Sequence, residues 1–150
     1  MAAAPSDEVQ VESATRRPVR VVTVDDQPFF RTAARAIVDS TPGFELVGES
    51  ADGESALELI PRLDPDIVIL DVRMPGIDGI DVADRLHRED PDRIIILASS
   101  LEPETLSRLA RGCGASAVVQ KHWLTPRLLR GLWVAHRRGD RPSRDATDGR

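Results

Sequence analysis

The run Ile67-Val68-Ile69-Leu70 constrains the fold more than any other part of the chain. Four consecutive apolar residues, three of them β-branched, show no polar side to water. They predict a strand covered on both faces, as in parallel sheets sandwiched between helices. The run is cut off at Asp71, and Met74-Pro75-Gly76 behind it neither extends a strand nor starts a stable helix. Asp71 therefore belongs at the carboxyl edge of the sheet, where open α/β sheets bind ligands.

The same pattern recurs along the chain. Val19 to Val24 is β-branched and ends on Asp25-Asp26. Pro28 suits a first helical position, and Phe30, Ala33, Ala34, Ile37 and Val38 recur at helical spacing until Thr41-Pro42-Gly43. Phe44 to Glu49 reads as a second strand, followed by a helix carrying Ala56, Leu57, Ile60 and Leu63. Pro61 falls inside that pattern, deletes a backbone donor and crowds the carbonyl of Leu57, which predicts a kink or an end near Ile60. After the Asp71 strand comes a helix from about Gly79 to Glu89 with Ile80, Ala83 and Leu86 inward. Arg93 to Ala98 is a fourth strand ending on Ser99-Ser100, and Pro103 starts a helix with Leu106, Leu109 and Ala110 toward the core. Ala117 to Gln120 is a short fifth strand ending on Lys121, and Thr125-Pro126 caps and starts a last helix to about His136. Strand-then-helix units in alternation predict an α/β fold: a five-stranded parallel sheet with helices on both faces.

The flanks read differently. Residues 1–17 and 137–150 lack a sustained period and predict a disordered arm and tail around a single domain at 18–136. No apolar run approaches the roughly 20 residues of a membrane helix, and no secretion signal opens the chain, which points to the cytoplasm. The lone Cys113 has no ligand cluster around it. A net charge of −5 argues against nucleic acid as the main partner.

The residues on which the strands end carry the chemistry. Parallel strands present their carboxyl ends along one edge, so Asp25, Asp26, Asp71, Ser99 and Lys121 converge on one pocket. Carboxylates within about 4 to 6 Å repel by roughly 1 to 4 kcal/mol per pair at a protein surface. Relief comes from a proton or a cation. Oxygen ligands with no His or thiolate favour a hard ion, and few protein ligands favour Mg²⁺ over a calcium cage. Carboxylates, Mg²⁺, a lysine and a hydroxyl are together what a phosphoryl group requires, and Asp71, alone on its strand tip, is the natural nucleophile for an aspartyl phosphate.

These residues carry a resemblance. Asp25-Asp26, the run Asp71-Val72-Arg73-Met74-Pro75-Gly76-Ile77-Asp78-Gly79, a hydroxyl after the fourth strand, and Gly114-Ala115 before Lys121 resemble the receiver domains of bacterial two-component response regulators, from about Pro18 to His136. The resemblance implies a flavodoxin-like, CheY-like strand order of 2-1-3-4-5. It further implies that Asp71 accepts a phosphoryl group from a histidine kinase or phosphotransfer protein. Asp26, Asp71 and the backbone carbonyl of Arg73 would then bind Mg²⁺, with Asp25 acting directly or through water. Ser99 and Lys121 would hold the phosphoryl oxygens, and Ser99 would move the fourth loop and helix to switch a downstream partner surface on the fourth and fifth helices. Counting back from Gly114-Ala115 and Lys121 favours Ser99 over Ser100 for the hydroxyl. Three departures stand out: Val118 where the family often has an aromatic, His122 where a proline commonly comes after the lysine, and a stretch after the receiver that predicts a stand-alone module with no output domain.

Blander readings accompany several residues. Asp78 shapes the turn with Gly79, Phe29 and Phe30 pack, and His87, His122 and His136 are structural or exposed. Leu128, Leu129, Leu132, Trp133 and Ala135 form either a well-buried helix or a face for a partner or a homodimer. Two functions compete with the phosphoacceptor: a phosphorylation-independent adaptor, and an aspartyl-phosphate hydrolase. The hydrolase is disfavoured because Arg73 stands where such enzymes place a second Asp.

Overall fold

The computed structural model describes residues 17–137, and its centre is the predicted buried strand. Strands β1 (Val19–Val24), β2 (Phe44–Ser50), β3 (Ile67–Asp71), β4 (Ile94–Ser99) and β5 (Ala117–Gln120) alternate with helices α1 (Pro28–Asp39), α2 (Gly53–Leu63), α3 (Gly79–Glu89), α4 (Pro103–Ala110) and α5 (Pro126–Arg137). All pairings are parallel, in the order β2-β1-β3-β4-β5. Apart from Arg17 and Arg137, the arm and tail assigned to 1–17 and 137–150 lie outside the described residues.

Side chains alternating across the strands divide the core in two. Val68, Leu70, Ile95 and Leu97 face α2, α3 and α4 through Ala56, Ile60, Val82, Ala83, Leu86, Leu106 and Ala110. Ile67, Ile69, Ile94, Ile96 and Ala98 face α1 and α5 through Phe30, Ala34, Val38 and Leu129. Every residue of β3 and β4 is buried, which is why both read as continuous apolar runs. Each large aliphatic side chain buried in this way contributes about 1.5 to 3 kcal/mol.

The caps follow from side-chain chemistry. The Asp52 carboxylate accepts from Ser55 N at 2.8 Å, Asp78 from Asp81 N at 2.9 Å, and the Thr125 hydroxyl from Leu128 N at 3.1 Å. Asp78 is thus spent as the cap of α3.

Four expectations need correcting. Of the kink or end expected near Ile60, the end does not occur: helix α2 runs through Pro61 to Leu63. Pro61 sits exposed in the last turn, where a left-handed Asp64 (φ 49°) closes the helix and Asp64 N donates to Ile60 O at 2.7 Å, so little helix lies beyond the missing donor. Phe29 does not pack: it is 87% exposed on the outer side of α1, while Phe30 turns inward. Leu109 is 46% exposed, because α4 is short and only Leu106 and Ala110 meet the sheet. Ala135 lies in solvent, leaving Leu129 as the buried residue of α5, with Leu128, Leu132 and Trp133 half-buried against it.

Candidate functional site

Sheet register brings the predicted residues to one level. Val24 pairs with Leu70, Asp71 with Ala98, and Ser99 with Gln120. Asp25 and Asp71 therefore share one level at the carboxyl rim, with Ser99 one residue and Lys121 two residues beyond it. The carboxylate oxygens of Asp25, Asp26 and Asp71 fall within 4.8 Å of each other, with Asp25 and Asp71 buried and Asp26 exposed. Lys121, the first residue of a 3-10 turn over Lys121–Trp123, reaches back across them. Its Nζ lies 2.7 Å from Asp25 Oδ2 and 3.5 Å from Asp71 Oδ1.

One ammonium does not balance three acids. Burial, followed by the charges of Asp25 and then Asp26, outweighs the opposing pull of Lys121 and pushes the Asp71 carboxyl up to about 6. The donor set is all oxygen and compact, with an exposed carboxylate at its mouth. These residues fit a hard divalent cation, which would offset the repulsion that adds to burial in raising Asp71.

The other predicted residues surround this cluster less closely. Ser99 is buried, and its Oγ accepts from Leu101 N at 3.1 Å, while Ser100 is exposed. Arg73 stands in the loop after β3 with its side chain in solvent. Val118 lies 36% exposed on β5, and His122 is exposed beside Trp123, the rings 5.5 Å apart.

Four supporting residues are not evident from sequence pattern. Gln27 N donates to Asp25 Oδ1 at 2.8 Å, and Gln27 Oε1 accepts from Lys121 Nζ at 3.4 Å. The Phe30 ring lies beneath Lys121, with Nζ 4.6 Å from its centroid. Arg31 donates to the Asp25 carbonyl at 2.5 Å. Glu54 accepts from Ile77 N at 3.3 Å and so ties the first turn of α2 to the loop behind Asp71. The available signal was at position 27, where glutamine stands at an N-cap that Ser, Thr, Asp or Asn would favour.

The loop behind Asp71 is fixed by close approach. Gly79 N donates to Val72 O at 2.8 Å, and a Cβ at position 79 would lie 1.9 Å from the Asp71 carbonyl oxygen. Only glycine fits there.

The model of the response regulator receiver domain matches residues 21–132. The chain belongs to the receiver-domain family of two-component response regulators. Its fold is likewise that of a solved receiver domain, the NarL response regulator of Mycobacterium tuberculosis: TM-score 0.72, 30% identity, covering 90% of this chain and 100% of that one. Among curated relatives, the nitrate/nitrite response regulator protein NarL of Escherichia coli (strain K12) is 33% identical over 99 residues, covering 65% of this chain and 46% of NarL. Protein-glutamate methylesterase/protein-glutamine glutaminase 5 of Myxococcus xanthus (strain DK1622) is 38% identical over 105 residues, covering 69% of this chain and 30% of the relative. The receiver thus spans less than half the length of these relatives. Among its described residues no helix is long and apolar enough to cross a membrane.

Proposed function

We propose that this receiver takes a phosphoryl group on Asp71 from the phosphohistidine of a histidine kinase or phosphotransfer protein, in the cytoplasm, and relays it as a change in a partner-binding surface. The observation that carries this is the cluster of Asp25, Asp26 and Asp71 within 4.8 Å, bridged by Lys121. It combines an acyl-phosphate nucleophile with the countercharge that phosphoryl transfer needs.

An oxygen of Asp71 attacks phosphorus, the P–N bond of the donor breaks as the O–P bond forms, and the electron pair leaves on the imidazole nitrogen, which takes up a proton. Asp26, Asp71 and the Arg73 carbonyl would hold Mg²⁺, with Asp25, whose oxygens already engage Gln27 N–H and Lys121, beside them. Bound there, Mg²⁺ supplies the charge that offsets the acids and the transferring oxygens. Lys121 exchanges its Asp71 contact for a phosphoryl oxygen, and the Ser99 hydroxyl gives up Leu101 N–H to donate to another. Because Ser99 precedes α4, that exchange shifts the population of the α4 and β5 surface. A groove there of about 280 Å³, lined by Pro103, Leu106, Val118 and Trp123 among others, is where a downstream protein, or a second copy of the chain, would read the state. With Val118 in place of an aromatic, the readout rests on the loop and helix.

Catalysis is confined to phosphorylation and dephosphorylation of the receiver itself, and neither DNA nor membrane is a direct partner. An adaptor independent of phosphorylation would not need the charge strain on Asp71, and a hydrolase would need an acid where Arg73 stands. Incubation with acetyl phosphate and Mg²⁺ followed by intact mass tests the reading. One added phosphoryl group, lost in Asp71→Ala, supports it. No addition, or turnover of many donor molecules per protein, overturns it.

A further inference from the structure

The Lys121 ammonium faces three oxygens: it is ion-paired with Asp25 Oδ2 at 2.7 Å and Asp71 Oδ1 at 3.5 Å, and it donates to Gln27 Oε1 at 3.4 Å. Two of these oxygens belong to carboxylates, and the proposed phosphoryl transfer takes one of them, that of Asp71, from the lysine. The third is a neutral amide oxygen, and the face of Phe30, 8% exposed, adds a second neutral contact 4.6 Å away. Gln27 occupies the N-cap position of α1, yet its side chain makes no capping bond and instead spans 94 residues of sequence to reach the lysine. Its backbone N–H meanwhile holds Asp25 Oδ1, and its carbonyl accepts from Phe30 N and Arg31 N, both at 3.1 Å. The residue thus ties the first turn of α1, the buried acid and the lysine to one another.

We propose that Gln27 is a positioning residue for Lys121. It keeps the ammonium on the α1 side of the pocket as Asp71 is phosphorylated, so that the lysine exchanges one acceptor, the Asp71 carboxylate, for a phosphoryl oxygen while its other contacts persist. The inference rests on Asp71 being the phosphoacceptor. Neutrality is the physical reason for an amide here: glutamate would hold the lysine as well, but would add a fourth negative charge to a cluster already short of positive charge.

A double-mutant cycle between positions 27 and 121 tests it with two readouts. With acetyl phosphate as donor, Gln27→Ala slows phosphorylation by about three- to tenfold, the range of one ordinary hydrogen bond, as suits a contact of 3.4 Å. The Mg²⁺ affinity of the unphosphorylated protein, measured by titration calorimetry, stays within about twofold. In a Lys121→Ala background the same change alters neither the residual rate nor the urea midpoint, whereas in the parent it lowers both. Gln27→Asn, one methylene too short, behaves as Gln27→Ala. Equal losses from Gln27→Ala with and without the lysine would mean that residue 27 merely supports α1 and would overturn the proposal, as would no loss in either background. If the parent itself takes up no phosphoryl group, the phosphoacceptor reading fails instead, and the midpoint cycle still decides whether Gln27 and Lys121 are coupled.

Discussion

Strand β3 is bracketed by two buried aspartates, Asp66 at its start and Asp71 at its end, and the two edges of the sheet treat them in opposite ways. At the amino edge, Asp66 Oδ2 accepts from Arg20 N at 2.9 Å, while Asp66 N and O close onto Arg20 O and Ile94 N. Beside it Arg93, its side chain 4% exposed, pairs with Asp64 at 2.9 Å and Asp90 at 3.7 Å. At the carboxyl edge, Asp71 meets two further acids and shares one lysine with Asp25. Burial of an acid is therefore no sign of function by itself. What marks the site is an acid buried among acids, with its charge left uncompensated.

Substitutions can break this contrast. The largest effect expected is chemical: Asp71→Asn abolishes phosphoryl uptake in the intact-mass assay, whereas Asp66→Asn, which keeps the acceptor for Arg20 N, leaves uptake intact. Next, Arg93→Ala lowers unfolding stability by about 2 to 4 kcal/mol in urea titrations, because it removes a buried guanidinium from its carboxylate partners and leaves a void. Opposite in sign, saturating Mg²⁺ raises stability by about 2.7 kcal/mol at a hundredfold excess over its dissociation constant, and much less in Asp71→Asn.

A smaller effect separates the edges by pH. The Asp71 carboxyl titrates near 6 in the folded protein, above the ordinary 3.8, so the folded state binds more protons between these values. Stability of the metal-free protein therefore falls as pH rises from about 4 through 6. Asp71→Asn removes that slope and stabilises the protein at pH 7 by about 1 to 2 kcal/mol. This is less than the roughly 1.4 kcal/mol per pH unit would give in full, since the pocket mouth admits water. Smallest is a control outside the acidic cluster: Asp52→Ala, which deletes the cap of α2, costs about 1 kcal/mol and leaves phosphoryl uptake in place.

Much of this is legible in the order of residues alone. Buried strands announce themselves as runs such as Ile94-Ile95-Ile96-Leu97, parallel order follows from alternation, and the rim follows from the residue on which each strand ends. Less legible is whatever depends on position within a helix. Pro61 is tolerated because it falls in a closing turn, and Phe29 is exposed although its neighbour Phe30 is buried, since adjacent helical residues point about 100° apart. Gln27 and Arg31 act through contacts to Lys121 and to the Asp25 carbonyl that periodicity cannot express, because the partner's approach is decided by tertiary packing.

The glycine at position 79 carries one last implication. Its missing side chain is what lets the first turn of α3 press against the backbone of Asp71, so even a methyl group would shove the phosphoacceptor itself out of line. In a saturation library, position 79 should reject every substitute as completely as position 71 does, and for a steric reason: an atom eight residues away occupies the only room there is.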